Sequence, residues 1–250
     1  MSKKWLIYVT FFVLLLGGFY LALFRDYDFS KSNLVVRNSN VGDFSFVNQD
    51  GKTISQRETE EKVYVAEYFF TTCKGICPKM NANMRRVYDA FKDEPGFMIL
   101  SHTCMPETDS VPLLKAYEEK MINGKLVKKE DGSYKIEYDP AAGHPQGAVS
   151  KVQTTNLNWH FVTGDKTALY RMARQAYGID NGKPDSAQIQ DQFIHTQFFA
   201  LVDKLGRVRG MVYDGLNNEE VDKMITDIKG LLKEKVTTKR FMNGFSNTPN

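Results

Sequence analysis

The chain is poor in the residues from which disulfide-built scaffolds and nucleic-acid surfaces are made. Its 250 residues include only three cysteines and four histidines, and three cysteines are too few for a fold built on disulfides. Basic residues exceed acidic ones by only 33 to 30, and the lysines are scattered among acidic residues rather than gathered in a stripe. This balance does not favour nucleic acid as a partner.

Long uncharged stretches are also rare, with one exception at the start of the chain. Residues 5–24, WLIYVTFFVLLLGGFYLALF, carry no charge over twenty positions, which is enough to span a bilayer as a helix. Lys3 and Lys4 precede this run, so the positive-inside rule places the N-terminus in the cytoplasm and the rest of the chain outside. The alternative is a cleaved signal peptide, but Ala22 makes a poor cleavage site.

The surroundings of this run favour a bacterial membrane protein. No cysteine follows the run closely, so a lipoprotein anchor is not expected. The run begins too near Met1 for an Arg-rich transit peptide to precede it. We therefore expect a single-pass protein of the bacterial inner (cytoplasmic) membrane, whose soluble domain faces the periplasm.

The rest of the chain alternates between strand and helix patterns. The predicted strands are 63–70, 96–103 and 158–164 and a pair within 196–215; the predicted helices are 78–92, 110–121, 165–178 and 217–234. A further hairpin is predicted around Asp50 and Gly51. Strands that alternate with helices and end in a hairpin plus a helix predict an α/β fold with a mixed sheet flanked by helices.

The domain plan follows from these patterns. We expect a membrane anchor at 5–24, a polar linker at 25–40, one folded domain at 41–235 and a loose tail at 236–250. Residues 122–157 do not fit the repeat and are interpreted as an insertion at the edge of the sheet, either a solvated surface loop or a small hairpin.

Two of the cysteines lie close together at a favourable place. Cys73 and Cys77, in TTCKGICPKM, fall between a predicted buried strand and a predicted helix, where α/β sheets present functional groups. The dipole of the helix and the charge of Lys74 should favour the thiolate forms. As a structural staple the pair would accomplish little, because closing so short a loop stabilises by only about 2 kcal/mol. A redox pair or a metal clamp for Cu(I) or zinc is favoured instead.

A metal clamp needs a third ligand, and the histidines are the candidates. His195 stands just before the predicted strand TQFFALVD and is the best placed. His160 lies inside a strand and is interpreted as a packed or edge residue, while His144 is expected to be exposed. His102 and Cys104 are expected at the rim of the sheet, and Cys104 is open to three interpretations: a resolving thiol, an auxiliary ligand or a buried apolar side chain.

Together these residues resemble the Sco/SenC family of copper-binding assembly proteins for cytochrome c oxidase. The likeness rests on TTCKGICPKM after an apolar strand, on NWHFVTGD, and on His195 before FFALVDKLGRVRG, and it extends from about 41 to 233. It implies a thioredoxin-like domain on one membrane anchor, copper held by Cys73, Cys77 and His195, and delivery to the dinuclear copper site of subunit II or to another cuproprotein.

The sequence departs from the family pattern in three places. The family often has an aspartate directly before the histidine, where this chain has Ile194, although Asp191 is close by. The motif of the type S-V-D-P is replaced by SHTCMPETD, and the 122–157 insertion is long. These departures concern copper affinity and choice of partner more than fold.

Two other classes of function stay open. The first is a thiol-disulfide oxidoreductase that reduces a partner's cysteines, although such enzymes favour two residues between the thiols rather than three. A peroxidase of the peroxiredoxin type is disfavoured, because Phe70 occupies the position of the threonine expected three residues before the reactive cysteine. The second is a membrane-tethered interaction domain with inert cysteines.

Overall fold

A computed structural model describes residues 3–24, 32–139, 158–180 and 196–235 of the chain. It divides the chain into two compact units, one up to Lys31 and one from Ser32 onward. The first contains helix α1 (Lys3–Phe24). Among the described residues this is the one helix long and apolar enough to cross a membrane, with a mean hydropathy of 1.7 over Lys3–Leu21.

The second unit is an α/β structure. Its strands are β1 (Val36–Asn38), β2 (Ser45–Asn48), β3 (Thr53–Ser55), β4 (Val63–Phe69), β5 (Phe97–Thr103), β6 (Lys125–Lys128), β7 (Tyr134–Glu137), β8 (Trp159–Thr163), β9 (Phe198–Val202) and β10 (Val208–Asp214). Its helices are α2 (Gln56–Thr59), α3 (Cys77–Phe91), α4 (Val111–Asn123), α5 (Lys166–Arg171) with a π-helical turn (Met172–Tyr177), and α6 (Asn218–Lys233).

Eight of these strands form one mixed sheet in the order β1-β10-β9-β4-β5-β8-β2-β3. The central pairs β4–β5 and β5–β8 are parallel, and the remaining pairs are antiparallel. Every residue of β4 and of β5 is buried, as is expected of strands covered on both faces. The predicted mixed α/β sheet is confirmed.

Each face of the sheet carries its own apolar core. On one face, Val65 and Phe69 of β4 pack with residues of α3, α4 and α6, including Met80 and Met84. On the other face, Tyr64, Ala66 and Tyr68 of the same strand pack against α5 and the π-helical turn. The alternation of side chains along β4 therefore separates the two layers of helices.

Local sequence signals explain several boundaries. The side chain of Asp165 accepts a hydrogen bond from the backbone of Ala168 and caps α5. Gly178 ends the following π-helical turn with φ +63°, a conformation that glycine adopts at little cost. The predicted helix over 165–178 therefore exists, but its second half is π-helical.

Two short elements were not predicted. Strand β1 lies inside the stretch predicted as a linker and pairs with the edge of β10. Helix α2 begins after Ser55, which forms a capping box with Glu58. Three-residue strands and four-residue helices carry too little periodicity to be recognised in a sequence.

The described part of the 122–157 insertion is a hairpin. Strands β6 and β7 pair with each other and form a separate two-stranded sheet. Arg86 of α3 lies 4.5 Å from the ring of Tyr134, and the side chain of Asn218 donates to the carbonyl of Gly132 at 2.9 Å. The hairpin alternative is thus confirmed for this part, while residues 140–157, which include His144, lie outside the described residues, as does the predicted tail at 236–250.

Candidate metal and redox site

The carboxyl ends of the central strands β4 and β5 lie at one edge of the sheet. Because β4 and β5 run parallel, the loop that contains Cys73 and the turn that begins at Cys104 emerge at the same edge. Strand β9 runs antiparallel to β4 and pairs Ala200 with Ala66. Extending that register by four residues brings Thr196 level with Phe70. The chain segments predicted to carry the site therefore converge here.

The two thiols of the predicted pair contact each other. Cys77 is the first residue of α3, and Cys73 lies in the preceding loop, where its backbone N–H donates to the carbonyl of Phe70 at 3.2 Å. The pair is therefore not carried on a single helical turn, yet the Cys77 side chain forms a hydrogen bond with that of Cys73. Both cysteines are free; Cys73 is half-buried and Cys77 is buried.

The pKa of Cys77 differs from the expectation for a thiol at a helix N-terminus. Burial raises the pKa of this thiol well above its usual range, and the hydrogen bond with Cys73 raises it further, while a hydrogen bond with the backbone of Phe70 acts in the opposite direction. The predicted stabilisation of the Cys77 thiolate is therefore wrong, because desolvation outweighs the helix dipole. Cys77 is protonated at neutral pH, so a metal ion would have to displace its proton.

Polar and aromatic groups hold the backbone of Cys77 in place at the start of α3. The side-chain amide of Asn81, one turn further along α3, donates to the carbonyl of Cys77 at 2.9 Å and to the hydroxyl of Tyr117 at 2.9 Å. The ring of Tyr117 stacks on Phe69 with centroids 5.0 Å apart. The start of α3 is thereby tied to α4 and to the end of β4.

A buried carboxyl group lies on the same face of the sheet. Glu67 of β4 is fully buried, and its Oε1 accepts a hydrogen bond from Ser101 at 2.5 Å, while its Oε2 has no partner among the described residues. Burial raises the pKa of Glu67 to about 8, against the opposing effect of the Ser101 hydrogen bond. The charge of Glu67, when present, also raises the pKa of Cys77. A second titratable group is therefore electrostatically coupled to the cysteine pair.

His195, the predicted third ligand, lies outside the described residues, as do Ile194 and Asp191. The next residue, Thr196, is buried, and its hydroxyl donates to the carbonyl of Ile179 at 2.6 Å. Gln197 is held in turn, since its side chain donates to Asp214 at 2.8 Å and its carbonyl accepts from the backbone of Gly215 at 2.8 Å. The segment that follows His195 is thus anchored at the edge of the sheet where the cysteines lie.

The other candidates are distributed differently from the prediction. His102 is not at the rim: it is fully buried in β5 and stacks on Tyr68 with ring centroids 4.9 Å apart. Burial lowers its pKa to about 4. His160 is a half-buried residue of β8 whose Nδ1 lies 3.3 Å from the side-chain nitrogen of Asn48, in agreement with the packed or edge position predicted for it.

Cys104 follows β5 and is only 2% exposed, packed in the apolar core on the α5 face. Its backbone N–H continues the β4–β5 ladder by donating to the carbonyl of Phe69 at 2.8 Å. Burial raises the pKa of its thiol, and the charge of Asp109 adds to that increase. The geometry favours the interpretation of Cys104 as a buried apolar side chain.

The described residues alone do not complete a metal site. Within them, no group of three or more His, Cys, Asp or Glu side chains is placed to hold a metal ion. What they provide is a pair of soft sulfur donors in contact, one of them half-exposed. Such a pair suits Cu(I) or a reversible disulfide, and a site of three ligands would need a donor from the chain outside these ranges.

Four side chains around the pair were not identified from the sequence. Glu67 is the lone acid in the apolar run VYVAEYFF, and a charged residue inside a predicted buried strand could have been recognised in the sequence. Asp109 accepts hydrogen bonds from Thr71, two residues before Cys73. Asn81 and Tyr117 carried no such signal, because their contacts join elements far apart in the sequence.

Comparison with known proteins identifies relatives of this chain. The SCO1/SenC family model matches residues 35–127 and 133–233. An SCO1 protein homolog of Bacillus subtilis (strain 168) is 29% identical over 194 residues, which is 77% of this chain and 82% of that protein.

Solved structures agree with this likeness. A SCO1/SenC family lipoprotein of Bacillus anthracis str. Ames is 26% identical and covers 80% of this chain and 98% of its own, with a TM-score of 0.57. BsSco, described as having a disulfide switch and as a member of the Sco family of cytochrome c oxidase assembly proteins, is 28% identical with the same coverage and a TM-score of 0.55. The predicted thioredoxin-like fold is confirmed, and the chain belongs to the SCO1/SenC family.

Proposed function

We propose that this protein is a copper metallochaperone that binds Cu(I) through the thiolates of Cys73 and Cys77 and the imidazole of His195. The observation that carries the proposal is the contact between the two thiols at the sheet edge to which Thr196 is anchored. Two thiolates and an imidazole form a donor set that suits Cu(I). Membership of the SCO1/SenC family supports the same assignment.

Copper in this proposal is cargo. The half-exposed Cys73 is the ligand that an acceptor's thiol or imidazole reaches first, and the buried Cys77 is released last. Because burial raises the pKa of Cys77, return of a proton to this sulfur favours release. The acceptor we propose is the dinuclear copper site of cytochrome c oxidase subunit II, or another cuproprotein with a similar set of ligands.

The location we propose follows from α1. This helix anchors the protein in a bacterial inner membrane, with Lys3 and Lys4 on the cytoplasmic side and the domain from Ser32 onward in the periplasm. A membrane-tethered domain meets a membrane-bound acceptor at a high effective concentration.

The alternative function is a thiol-disulfide oxidoreductase. The two free thiols in contact also favour it, as does the disulfide switch described for BsSco. In that case the Cys73 thiolate attacks an acceptor disulfide to form a mixed disulfide, and Cys77 displaces the acceptor thiol. The chain gives up two electrons and two protons and ends with a Cys73–Cys77 disulfide.

A transfer experiment separates the two functions. The full-length reduced protein, purified in detergent and loaded with Cu(I), is mixed anaerobically with the copper-free, reduced copper domain of subunit II. We expect copper to move to that domain from the wild type, and neither Cys73→Ser nor Cys77→Ser to load with Cu(I), with Cys104→Ser as the matched control that loads normally. Tight Cu(I) binding by both single variants would contradict the clamp. A second reaction uses the same copper domain in its oxidised form, and its reduction without copper transfer in the first reaction would support the enzyme.

A further inference from the structure

Most of the loop that carries Cys73 is exposed, although Cys73 itself packs against the apolar core on the α3 face. Between β4 and α3, Thr72, Lys74 and Gly75 are exposed, and a side-chain carbon added at Gly75 would meet nothing within 4 Å. The backbone N–H of Cys73 donates to the carbonyl of Phe70, which is a local hydrogen bond. The position of Cys73 relative to Cys77 therefore depends on how the two ends of the loop are fixed.

A buried carboxylate fixes the end nearest β4. Asp109 is only 1% exposed and receives donors from two segments. Thr71 donates through its backbone N–H to Oδ2 at 3.2 Å and through its hydroxyl to Oδ1 at 2.5 Å. Thr103, the last residue of β5, donates its hydroxyl to Oδ2 at 2.5 Å. Asp109 thus joins the residue two positions before Cys73 to the end of the neighbouring strand.

Asp109 is itself held through its backbone. Its backbone N–H donates to the carbonyl of Met105 at 2.9 Å, and α4 begins two residues later, after Ser110. Among the described residues it forms no ion pair, so hydrogen bonds alone stabilise its carboxylate. Burying such a group is costly unless its hydrogen bonds are satisfied, and an apolar contact would hold the two segments together at a lower cost.

We propose that Asp109, held through its backbone by Met105 and the start of α4, is a positioning residue that fixes Thr71 and thereby sets the geometry of the Cys73–Cys77 pair. The inference rests on the proposed function as far as copper is concerned, but it applies equally to the pair as a dithiol. Through Thr71 it controls how readily the two sulfurs bind one ion or close into a disulfide.

Two threonines provide a matched test. Thr71→Val and Thr103→Val each remove one hydroxyl that donates to Asp109 at 2.5 Å, but only Thr71 adjoins the cysteine loop. Both substitutions replace a hydroxyl with a methyl group of similar size. A merely structural role predicts that site properties follow thermal stability in both variants, whereas a positioning role predicts an effect at the site only for Thr71→Val.

The readouts are Cu(I) affinity, by competition with a chromogenic Cu(I) ligand, and the equilibrium of the Cys73–Cys77 disulfide with glutathione, both on the full-length protein. We expect Thr71→Val to weaken Cu(I) affinity about tenfold, a magnitude common for groups that orient metal ligands. We expect it to change the disulfide equilibrium constant by about tenfold, or about 30 mV. Thr103→Val should change each by less than about twofold while lowering the melting temperature.

Asp109→Asn adds a further check, because combining it with Thr71→Val should change the site little beyond Asp109→Asn alone. Equal effects of the two threonine variants, or none from Thr71→Val, would overturn the inference. If the wild type binds no Cu(I), the proposed function fails, while the disulfide equilibrium still decides whether Asp109 positions the pair.

Discussion

The hydroxyl of Ser101 donates to Oε1 of Glu67 at 2.5 Å in the centre of the sheet and leaves Oε2 of the same carboxyl group without a partner among the described residues. The indole N–H of Trp159 donates in turn to the Ser101 hydroxyl at 2.8 Å. A single donor does not compensate for the burial of a charged carboxylate, so the pKa of Glu67 rises to about 8. At neutral pH the folded protein therefore holds a proton that the unfolded chain releases.

Because folded Glu67 retains this proton, we predict that the free energy of unfolding falls as the pH rises. The pKa of Glu67 is 4.5 without the effect of folding and about 8 in the fold, so its contribution falls as pH rises between those values. The lowered pKa of His102, about 4 instead of 6.5, opposes this below pH 6.5, because there the unfolded chain binds the extra proton. The effect of Glu67 should therefore be visible from pH 6.5 to 8.

We expect the wild type to lose about 2 kcal/mol of unfolding free energy over that interval, at about 1.4 kcal/mol per pH unit. Glu67→Gln should remove this loss, because the amide does not titrate, and Ser101→Ala, which keeps the carboxyl group, should retain it. Denaturant unfolding at several pH values measures the difference. Parallel pH profiles for wild type and Glu67→Gln would show that Glu67 is not the group responsible.

The two thiols of the pair should differ in reactivity. Cys73 is half-buried, whereas Cys77 is 4% exposed and has a raised pKa. Because the thiolate is the nucleophile, we expect iodoacetamide to modify Cys73 at least about tenfold faster than Cys77 in the reduced, metal-free protein. Peptide mapping by mass spectrometry at short times measures both rates, and comparable rates would mean that Cys77 is more open in solution than in this structure.

Cys104 should contribute to stability and not to copper binding. Its thiol is buried in the apolar core on the α5 face, so Cys104→Ser places a hydroxyl there at a cost of about 1–3 kcal/mol. Cu(I) stoichiometry and affinity should stay at the wild-type values. A loss of copper from both Cys104→Ser and Cys104→Ala, with the fold intact by circular dichroism, would instead make this thiol a ligand.

The sequence was sufficient for the parts of the fold that repeat a strong local pattern. The buried run at 63–70 and the apolar stripe from Met80 to Phe91 predicted β4 and α3 within one or two residues of their observed ends. Strand β1 was missed because three residues are too few to show an alternating pattern, and it is pairing with β10 that makes them a strand.

At the site, the sequence located Cys73 and Cys77 but not the environment that determines their chemistry. The raised pKa of Cys77 results from its burial in a core that includes residues distant in the chain. The spacing of residues in the sequence does not reveal that burial. The placement of His102 at the rim was wrong for the same reason, since its ring is fully buried and stacks on Tyr68 of the neighbouring strand. The role of His195 remains a prediction.

The measurement that tests the central claim most directly is Cu(I) bound per chain, with its affinity, for the reduced full-length wild type and for His195→Ala. His160→Asn is the control, because His160 lies on β8 next to Asn48 and is not one of the proposed ligands. We predict one equivalent of Cu(I) for the wild type and for His160→Asn, and for His195→Ala an affinity lower by at least about tenfold with both thiols of the pair still reactive. Absence of bound copper together with a readily formed Cys73–Cys77 disulfide, or an affinity unchanged by His195→Ala, would contradict the account.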